Sequence, residues 1–548
     1  MMKWWQKTIA YELYPKSFLD TAGNGTGTIR GIIQKLDYLA SLGVGAVWMT
    51  PVCRSPMIDN GYDIADYCSI DPSYGTMDDM KELISEAKKR GIRIVIDLVF
   101  NHSSDQNPWF LESKQSRDNP KSDWYIWRDA KDGKEPTNWR GIFGGSAWTW
   151  CEERQQYYLH TFAAQQPDLN WANPEVRRAL YDAANFWVDL GAGGFRIDAI
   201  TYVKKPDVFT DGEPDGDDGM VSVHDMTANQ PGILDYLHEF KREVADGHDI
   251  FTVAEANGVS ADELKYWVGK DGAFDMLFEF SHVNLEFKGI ETWCRPDPWT
   301  ISDLKRVLRD SQDATKDNGW YPIFFENHDK PRSIDHYFPS CSNPLSAAKA
   351  LGCLLMTLRG TPFLFQGEEL GYRNVAFPSI DDYNDISSHG QYDFALSEGF
   401  SEKEALACVH RFSRDSARTP MQWDASENAG FTAGTPWLPV HPDYKTVNVK
   451  ALAEDPRSIL NWYRKLAELR RDHPALTEGT WIEVLPDDPD IIAYRRVCDT
   501  EDLSILINLT EDRITDLPLG SCESILLNNK NDYERGCLRP LQCVILKM

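Results

Sequence analysis

From residue 9 onward, short uninterrupted apolar runs alternate with stretches whose apolar residues recur three or four positions apart. Uninterrupted runs closed by turn residues suit strands covered on both faces. They predict strands at 9–14, 44–49, 92–100, 194–200, 250–254, 276–280, 321–325 and 361–365. The intervening periodicity predicts helices. Ile32, Ile33, Leu36, Leu39 and Ala40 make one stripe; Met80, Leu83, Ile84 and Ala87 make a second, closed by Gly91 as a left-handed cap. Asn173-Pro174-Glu175 opens a third helix with a capping amide, a proline at the first position and an acid in the first turn. That helix is expected to bury Val176, Leu180, Ala184, Trp187 and Val188 and to stop at Gly191. Strands alternating with helices predict an α/β fold, a (β/α)8 TIM barrel of parallel strands. A doubly wound sheet is the alternative, but no GxGxxG follows the first strand.

Two stretches interrupt the alternation. Residues 103–171, rich in Trp, Asp and Gly, are too long for a βα loop and predict an inserted subdomain. Residues 371–455, after the eighth strand, form a second irregular insertion. The barrel is therefore assigned to 1–102 and 172–475. Residues 476–548 change texture: runs at 481–485, 491–494, 504–507 and 542–546 are separated by Asp, Asn, Pro and Gly, and predict a C-terminal antiparallel β domain.

Composition adds exclusions. The net charge of −28 argues against a nucleic acid or other polyanionic partner, which needs clustered Lys and Arg. The odd count of eleven cysteines, with no CxxC, suggests neither a disulfide framework nor a zinc site, and fits reduced thiols in a cytoplasmic setting. The start of the chain has no signal-peptide pattern, and no window is apolar for the roughly 20 residues of a membrane span. Nineteen tryptophans fit either a large core or a cleft for sugar rings; the core is the plainer reading.

The chemistry is expected at the C-terminal ends of the barrel strands. There the polar residues are Asp97, Asn101 and His102, then Arg196 and Asp198, then Glu255, then Glu326, His328 and Asp329. A single acid at a strand end often only caps the next helix. Acids at several strand ends of one barrel instead suit glycoside hydrolysis, which needs one ionised and one protonated carboxyl. Arg196 and Asp198 are two apart, so on a strand they share a face.

These motifs carry a resemblance. Asp97-Leu98-Val99-Phe100-Asn101-His102, Gly194-Phe195-Arg196-Ile197-Asp198, Thr252-Val253-Ala254-Glu255 and Glu326-Asn327-His328-Asp329 resemble those of glycoside hydrolase family 13, the α-amylase family. Gln166-Pro167-Asp168-Leu169-Asn170-Trp171 and Ala417-Arg418-Thr419-Pro420-Met421-Gln422-Trp423 match as well, and within the family the chain resembles the α-glucosidase and oligo-1,6-glucosidase group. The resemblance implies Asp198 as nucleophile, Glu255 as general acid/base and Asp329 as transition-state stabiliser. It implies that His102, Arg196 and His328 bind the sugar whose bond is cut. Asp59, Tyr62 and Arg414 would close that subsite, so that the enzyme releases one glucose from the non-reducing end. Phe162, Ala199 and Asn257 complete the substrate-binding set.

Linkage is read from two positions. In the resembling enzymes Val after the nucleophile accompanies α-1,6 cleavage, and Ala or Thr accompanies α-1,4; here it is Ala199. Two residues after the acid/base stands Asn257, where α-1,6 members have Pro. Both favour α-1,4 substrates such as maltose and short maltooligosaccharides, with sucrose a further candidate. Oligo-1,6-glucosidase and trehalose-6-phosphate hydrolase are the alternatives; Lys204 and Lys205 could meet a phosphate but read as a solvated pair. The Arg-rich motif of sucrose isomerases is not apparent. A non-catalytic, transporter-associated or sugar-binding relative is the remote alternative, and such chains lack the full carboxylate set. No cofactor is expected, and no tight Ca²⁺ site, because in the first loop, residues 20–28, only Asp20 keeps a carboxylate. The expected partner is a small oligosaccharide, with no membrane and a monomer or weak dimer as the assembly.

Overall fold

The computed structural model describes residues 2–216, 218–287, 292–317, 319–518 and 520–548. Eight strands form one nearly closed parallel barrel sheet: β1 (Ile9–Leu13), β2 (Val44–Met49), β3 (Arg93–Val99), β4 (Gly194–Asp198), β5 (Phe251–Glu255), β6 (Met276–Phe278), β7 (Pro322–Ile323) and β8 (Thr361–Phe365). Their order is β6-β5-β4-β3-β2-β1-β8-β7. The (β/α)8 barrel expected from the pattern is the fold. Among the described residues no helix is long and apolar enough to cross a membrane.

The helices follow their signals. In α1 (Met77–Lys89) Met80, Leu83 and Ala87 are buried, and Gly91 beyond it has φ 73°. In α2 (Pro174–Leu190) the Asn173 side chain accepts from the Glu175 N–H, and Gly191 ends the helix at φ 107°. It buries Val176, Leu180, Ala184 and Trp187, but Val188 is only half-buried, a departure from expectation. The first stripe is divided into Ile29–Gln34 and Leu36–Ser41, because Lys35 leaves helical geometry. Strand β4 ends two residues early, since Ala199 takes left-handed backbone at φ 44°.

The chain divides into two compact units: Met1–Val47 with Ala87–Ile92 and Phe280–Met548, and Trp48–Glu86 with Arg93–Glu279. The second contains β3 to β6. In its 103–171 stretch, Trp127–Arg128, Gln156–Leu159 and Trp148–Cys151 make a three-stranded antiparallel sheet. Ile126, Trp139, Trp148, Leu159 and Val223 form its core. The tryptophans here are structural: the indole N–H of Trp127 donates to Ser113 Oγ, that of Trp139 to the Thr210 carbonyl and that of Trp148 to Thr137 Oγ1.

The first unit contains β1, β7 and β8, the helices α3 (Pro344–Thr357) and α4 (Ile459–Asp472), and a five-stranded antiparallel sheet. That sheet is β9 (Thr480–Val484), β10 (Ile491–Cys498), β11 (Glu501–Asn508), β12 (Ser524–Asn528) and β13 (Cys543–Lys547), in the order β9-β10-β11-β13-β12. β12 is an edge strand that the pattern did not reveal. The sheet is tied to α3 from below. Arg496 on β10 donates to the carbonyls of Thr357 and Leu358, and Tyr494 OH shares a 2.5 Å hydrogen bond with Thr357 Oγ1. All eleven cysteines are free thiols.

Candidate active site

In the second unit, parallel register aligns the polar ends of β3, β4 and β5. Arg196 pairs with Asp97 on one side and with Val253 on the other, which brings Glu255 alongside the end of β4. Alternation then points Arg196 and Asp198 to the same face. The Arg196 guanidinium, 2% exposed, is the hub. Its Nη1 donates to Asp97 Oδ1 at 2.9 Å and to Asp198 Oδ1 at 2.7 Å, while Nη2 donates to Glu255 Oε2. The backbone N–H of Ala199 also reaches Glu255 Oε2, at 3.4 Å. Asp97 is held further by Trp48 Nε1 at 3.1 Å and Tyr62 OH at 3.0 Å. Burial works against the cation, but the charges of Asp97, Glu255, Tyr62 and Asp198 outweigh it and raise the Arg196 pKa well above its usual value.

The same unit holds the residues expected to line the subsite. Gln166 Nε2 donates to Asp59 Oδ2 and to the Tyr62 carbonyl, both at 3.2 Å. His102 is buried, with Nε2 2.9 Å from the Tyr62 carbonyl. Burial lowers its pKa despite Asp168, which favours a neutral ring donating through Nε2. Phe162, half-buried, packs a tilted ring on His102 at 5.1 Å. Asn257 is half-buried in the turn after β5, and among the described residues its amide makes no hydrogen bond.

Lys205 differs from expectation. It is buried rather than solvated, and its Nζ lies 2.6 Å from Asp168 Oδ2, 3.0 Å from Asn101 Oδ1 and 2.6 Å from the Tyr202 carbonyl. Two adjacent lysines carry no sign in sequence that one turns inward. Lys204 lies 3.6 Å from Asp207.

The first unit has its own charged cluster, around Asp329. Its Oδ1 accepts from Arg418 Nη2 at 2.8 Å and Arg414 Nη1 at 3.1 Å, and its Oδ2 lies 3.2 Å from His328 Nε2. The other His328 nitrogen, Nδ1, is 2.6 Å from Glu12 Oε1. Burial opposes charge on His328, yet Asp329 and Glu12 push its pKa up to about 9. Burial likewise opposes charge on Asp329, yet His328, Arg414 and Arg418 hold its carboxyl well below the usual range. Asp385 Oδ1 accepts from Arg414 Nε at 2.7 Å and so aims that side chain. Glu326, which opens the Glu326-Asn327-His328-Asp329 motif, is buried and raised to about 7 by that burial, and accepts from the Ser333 N–H: a structural role.

Glu12, Arg418 and Asp385 lie outside the site residues expected from sequence, and Asp97 stands among the polar strand ends without an expected role. Three of them had a signal: Glu12 is a charge inside an apolar strand, Arg418 follows Ala417 in a motif, and Asp97 opens another. Asp385 had none, because before a helix it reads as a cap, and it does accept from the Ser387 N–H.

In the first loop Asp20 is fully used. Oδ1 accepts from the N–H groups of Ala22 at 2.7 Å and Gly23 at 2.9 Å; Oδ2 accepts from Gly25 N–H at 2.7 Å and Thr432 Oγ1 at 2.5 Å. Burial raises its pKa, but these hydrogen bonds prevail and the net shift is downward.

A parallel eight-stranded barrel with strand-end carboxylates gathered on a single guanidinium fits a glycoside hydrolase. The comparisons agree. A model of the alpha-amylase catalytic domain matches residues 12–479, and the chain belongs to that family. Over 545 residues it is 44% identical to an oligo-1,6-glucosidase of Parageobacillus thermoglucosidasius, covering 98% of this chain and 97% of the relative. It is 41% identical over 510 residues to the trehalose-6-phosphate hydrolase of Escherichia coli K12, covering 93% and 91%. The crystal structure of isomaltulose synthase from Erwinia rhapontici NX5 superposes with a TM-score of 0.95 at 41% identity, covering 100% of this chain and 99% of that one.

Proposed function

We propose that the protein is an exo-acting, retaining α-glucosidase that releases glucose from the non-reducing end of short α-glucosides. The observation that carries this is the sharing of Arg196 by Asp198 and Glu255. Two carboxyls on adjacent nitrogens of one guanidinium suit a retaining pair, about 5–5.5 Å apart, better than the roughly 6.5–9.5 Å that leaves room for a water. Asp198 attacks the anomeric carbon while Glu255 protonates the departing oxygen, giving a covalent glucosyl-enzyme. Glu255 then takes a proton from water, which attacks the same carbon and frees glucose. Asp329, kept anionic by its three cations, accepts hydrogen bonds from sugar hydroxyls that strengthen as the ring flattens.

Ala199 and the unengaged amide of Asn257 support α-1,4 linkages. A second reading, α-1,6, is favoured by the names of the relatives, oligo-1,6-glucosidases among them. The commitment of Lys205 to Asp168 weighs against a phosphorylated substrate. Released glucose from maltose, isomaltose, sucrose, trehalose and trehalose 6-phosphate tests the assignment. Maltose is expected to turn over fastest among them; faster turnover of isomaltose overturns the linkage, and no turnover of any overturns the activity.

The loop of Asp20 does not fit a hard cation, since backbone N–H groups and a hydroxyl already face both of its oxygens. Melting after EDTA treatment, with and without added Ca²⁺, is expected to give one temperature.

A further inference from the structure

In the first unit, beside the start of β1 and the last turns of α4, lies an open cavity of about 550 Å³. Four cations line it, Lys7, Arg464, Arg470 and Arg471, against two carboxylates, Glu468 and Glu478. That balance is unusual in a chain of net charge −28. Local pairing does not remove it. Lys7 is taken by Glu478, and Arg471 by Asp472 at 2.8 Å. Arg464 meets only neutral oxygens, Asn461 Oδ1 at 3.0 Å and Ser41 Oγ at 3.3 Å.

Arg470 is the decisive residue. It is 1% exposed and bonds only to the backbone carbonyls of Met356, Leu476 and Gly360. The Nε atoms of both Arg464 and Arg470 are buried without a hydrogen-bond partner. Burial alone lowers the Arg470 pKa to about 10, with no carboxylate to offset it. Arg496 stands in the same state, lowered to about 9 by burial and then by the charge of Arg470. A buried guanidinium without a counter-ion is costly. When such a group lines a cavity, an anion in the cavity supplies the missing charge.

We propose that this cavity binds a phosphate group, held by charge-assisted hydrogen bonds from Arg464 and by the uncompensated positive charge of Arg470 in the cavity wall. Its volume falls in the range of small-molecule sites, about 300–1,000 Å³, so it can take inorganic phosphate or a sugar monophosphate. Neither ligand would need the catalytic carboxylates, and the site stands whatever glycoside the enzyme cleaves.

Calorimetric titration of the full chain with inorganic phosphate, and separately with glucose 6-phosphate, tests this against sodium chloride of equal ionic strength. Saturable one-site binding of at least one probe is expected, accompanied by a rise in melting temperature. Arg464→Gln, which removes a side chain bonded only to neutral groups, is expected to weaken binding about tenfold, the loss of one charge-assisted contact. Arg464→Lys is expected to recover most of it, and Arg242→Gln, on an exposed side chain far along the sequence, to leave it unchanged. Binding of inorganic phosphate alone identifies the free ion as ligand, and tighter binding of the sugar phosphate identifies the ester. Absence of saturable binding by both probes, or binding that Arg464→Gln leaves intact, overturns the proposal.

Discussion

The two charged centres are mirror images in composition. Around Arg196, one cation holds three carboxylates, Asp97, Asp198 and Glu255. Around Asp329, one carboxylate is held by three cationic side chains, His328, Arg414 and Arg418. They differ in what the hub shows to solvent. The Arg196 side chain is 3% exposed, whereas that of Asp329 is 30% exposed. A buried hub arranges its neighbours and leaves the chemistry to them. An accessible hub, fixed by its neighbours, presents itself to a ligand. The same interaction therefore serves as scaffold in one cluster and as binding surface in the other.

The comparison can be broken at each of its members. The largest effect is expected at Asp198→Ala, which removes the attacking group: kcat should fall by about 10⁴-fold or more, with little change in melting temperature. Retained turnover of maltose would remove Asp198 from the mechanism. Arg196→Met tests the scaffold. With three carboxylates left on an absent cation, chemical denaturation should show a loss of about 3–5 kcal/mol. An equally stable variant would mean that the hub is dispensable.

Arg414→Ala leaves Asp329 with two of its partners and should cost about 100-fold in kcat/KM, or roughly 2.7 kcal/mol, seen mostly in KM if the residue grips substrate. Glu12→Gln acts one step further out. His328 is raised to about 9, so its protonated form contributes stability that is complete below pH 6.5 and lost as pH rises through about 9. Removing the Glu12 charge lowers that upper limit. Melting temperature and kcat/KM measured against pH should both show the alkaline fall at lower pH, with about 1.5–3 kcal/mol lost at neutrality. An unmoved alkaline limb would separate His328 from the titration.

The smallest effect is expected at Ala199→Val. The added methyls crowd the ligand side, and a β-branched residue is strained at φ 44°. The ratio of isomaltose to maltose turnover should rise about tenfold, as one or two methyl groups in a pocket allow. A constant ratio would detach position 199 from linkage.

Legibility in the sequence followed burial. Strands β2 and β8 are almost wholly apolar, so their bounds at 44–49 and 361–365 are legible to the residue. Strand β12 escaped because its residues are exposed or half-buried at a sheet edge, where selection for apolar side chains is weak. Strand β4 was drawn too long, since alanine seldom signals left-handed backbone. In the site, motifs located the polar residues at strand ends, but not which of them would be hubs. That distinction depends on register and exposure, which bring Asp97 beside Arg196 and turn Lys205 inward. Neither property is written in residue type.

The seam between α3 and the C-terminal sheet has a consequence for how such a gene can be cut. Arg496 and Tyr494 lie beyond residue 475, yet they finish a helix that belongs to the barrel, answering the carbonyls of Thr357 and Leu358 and the hydroxyl of Thr357. Transplanting the barrel without the sheet would leave an unanswered helix end under the β8 strand that follows it. A cut at the apparent boundary is therefore expected to expose the carbonyls of Thr357 and Leu358, and the two parts are better moved as one module.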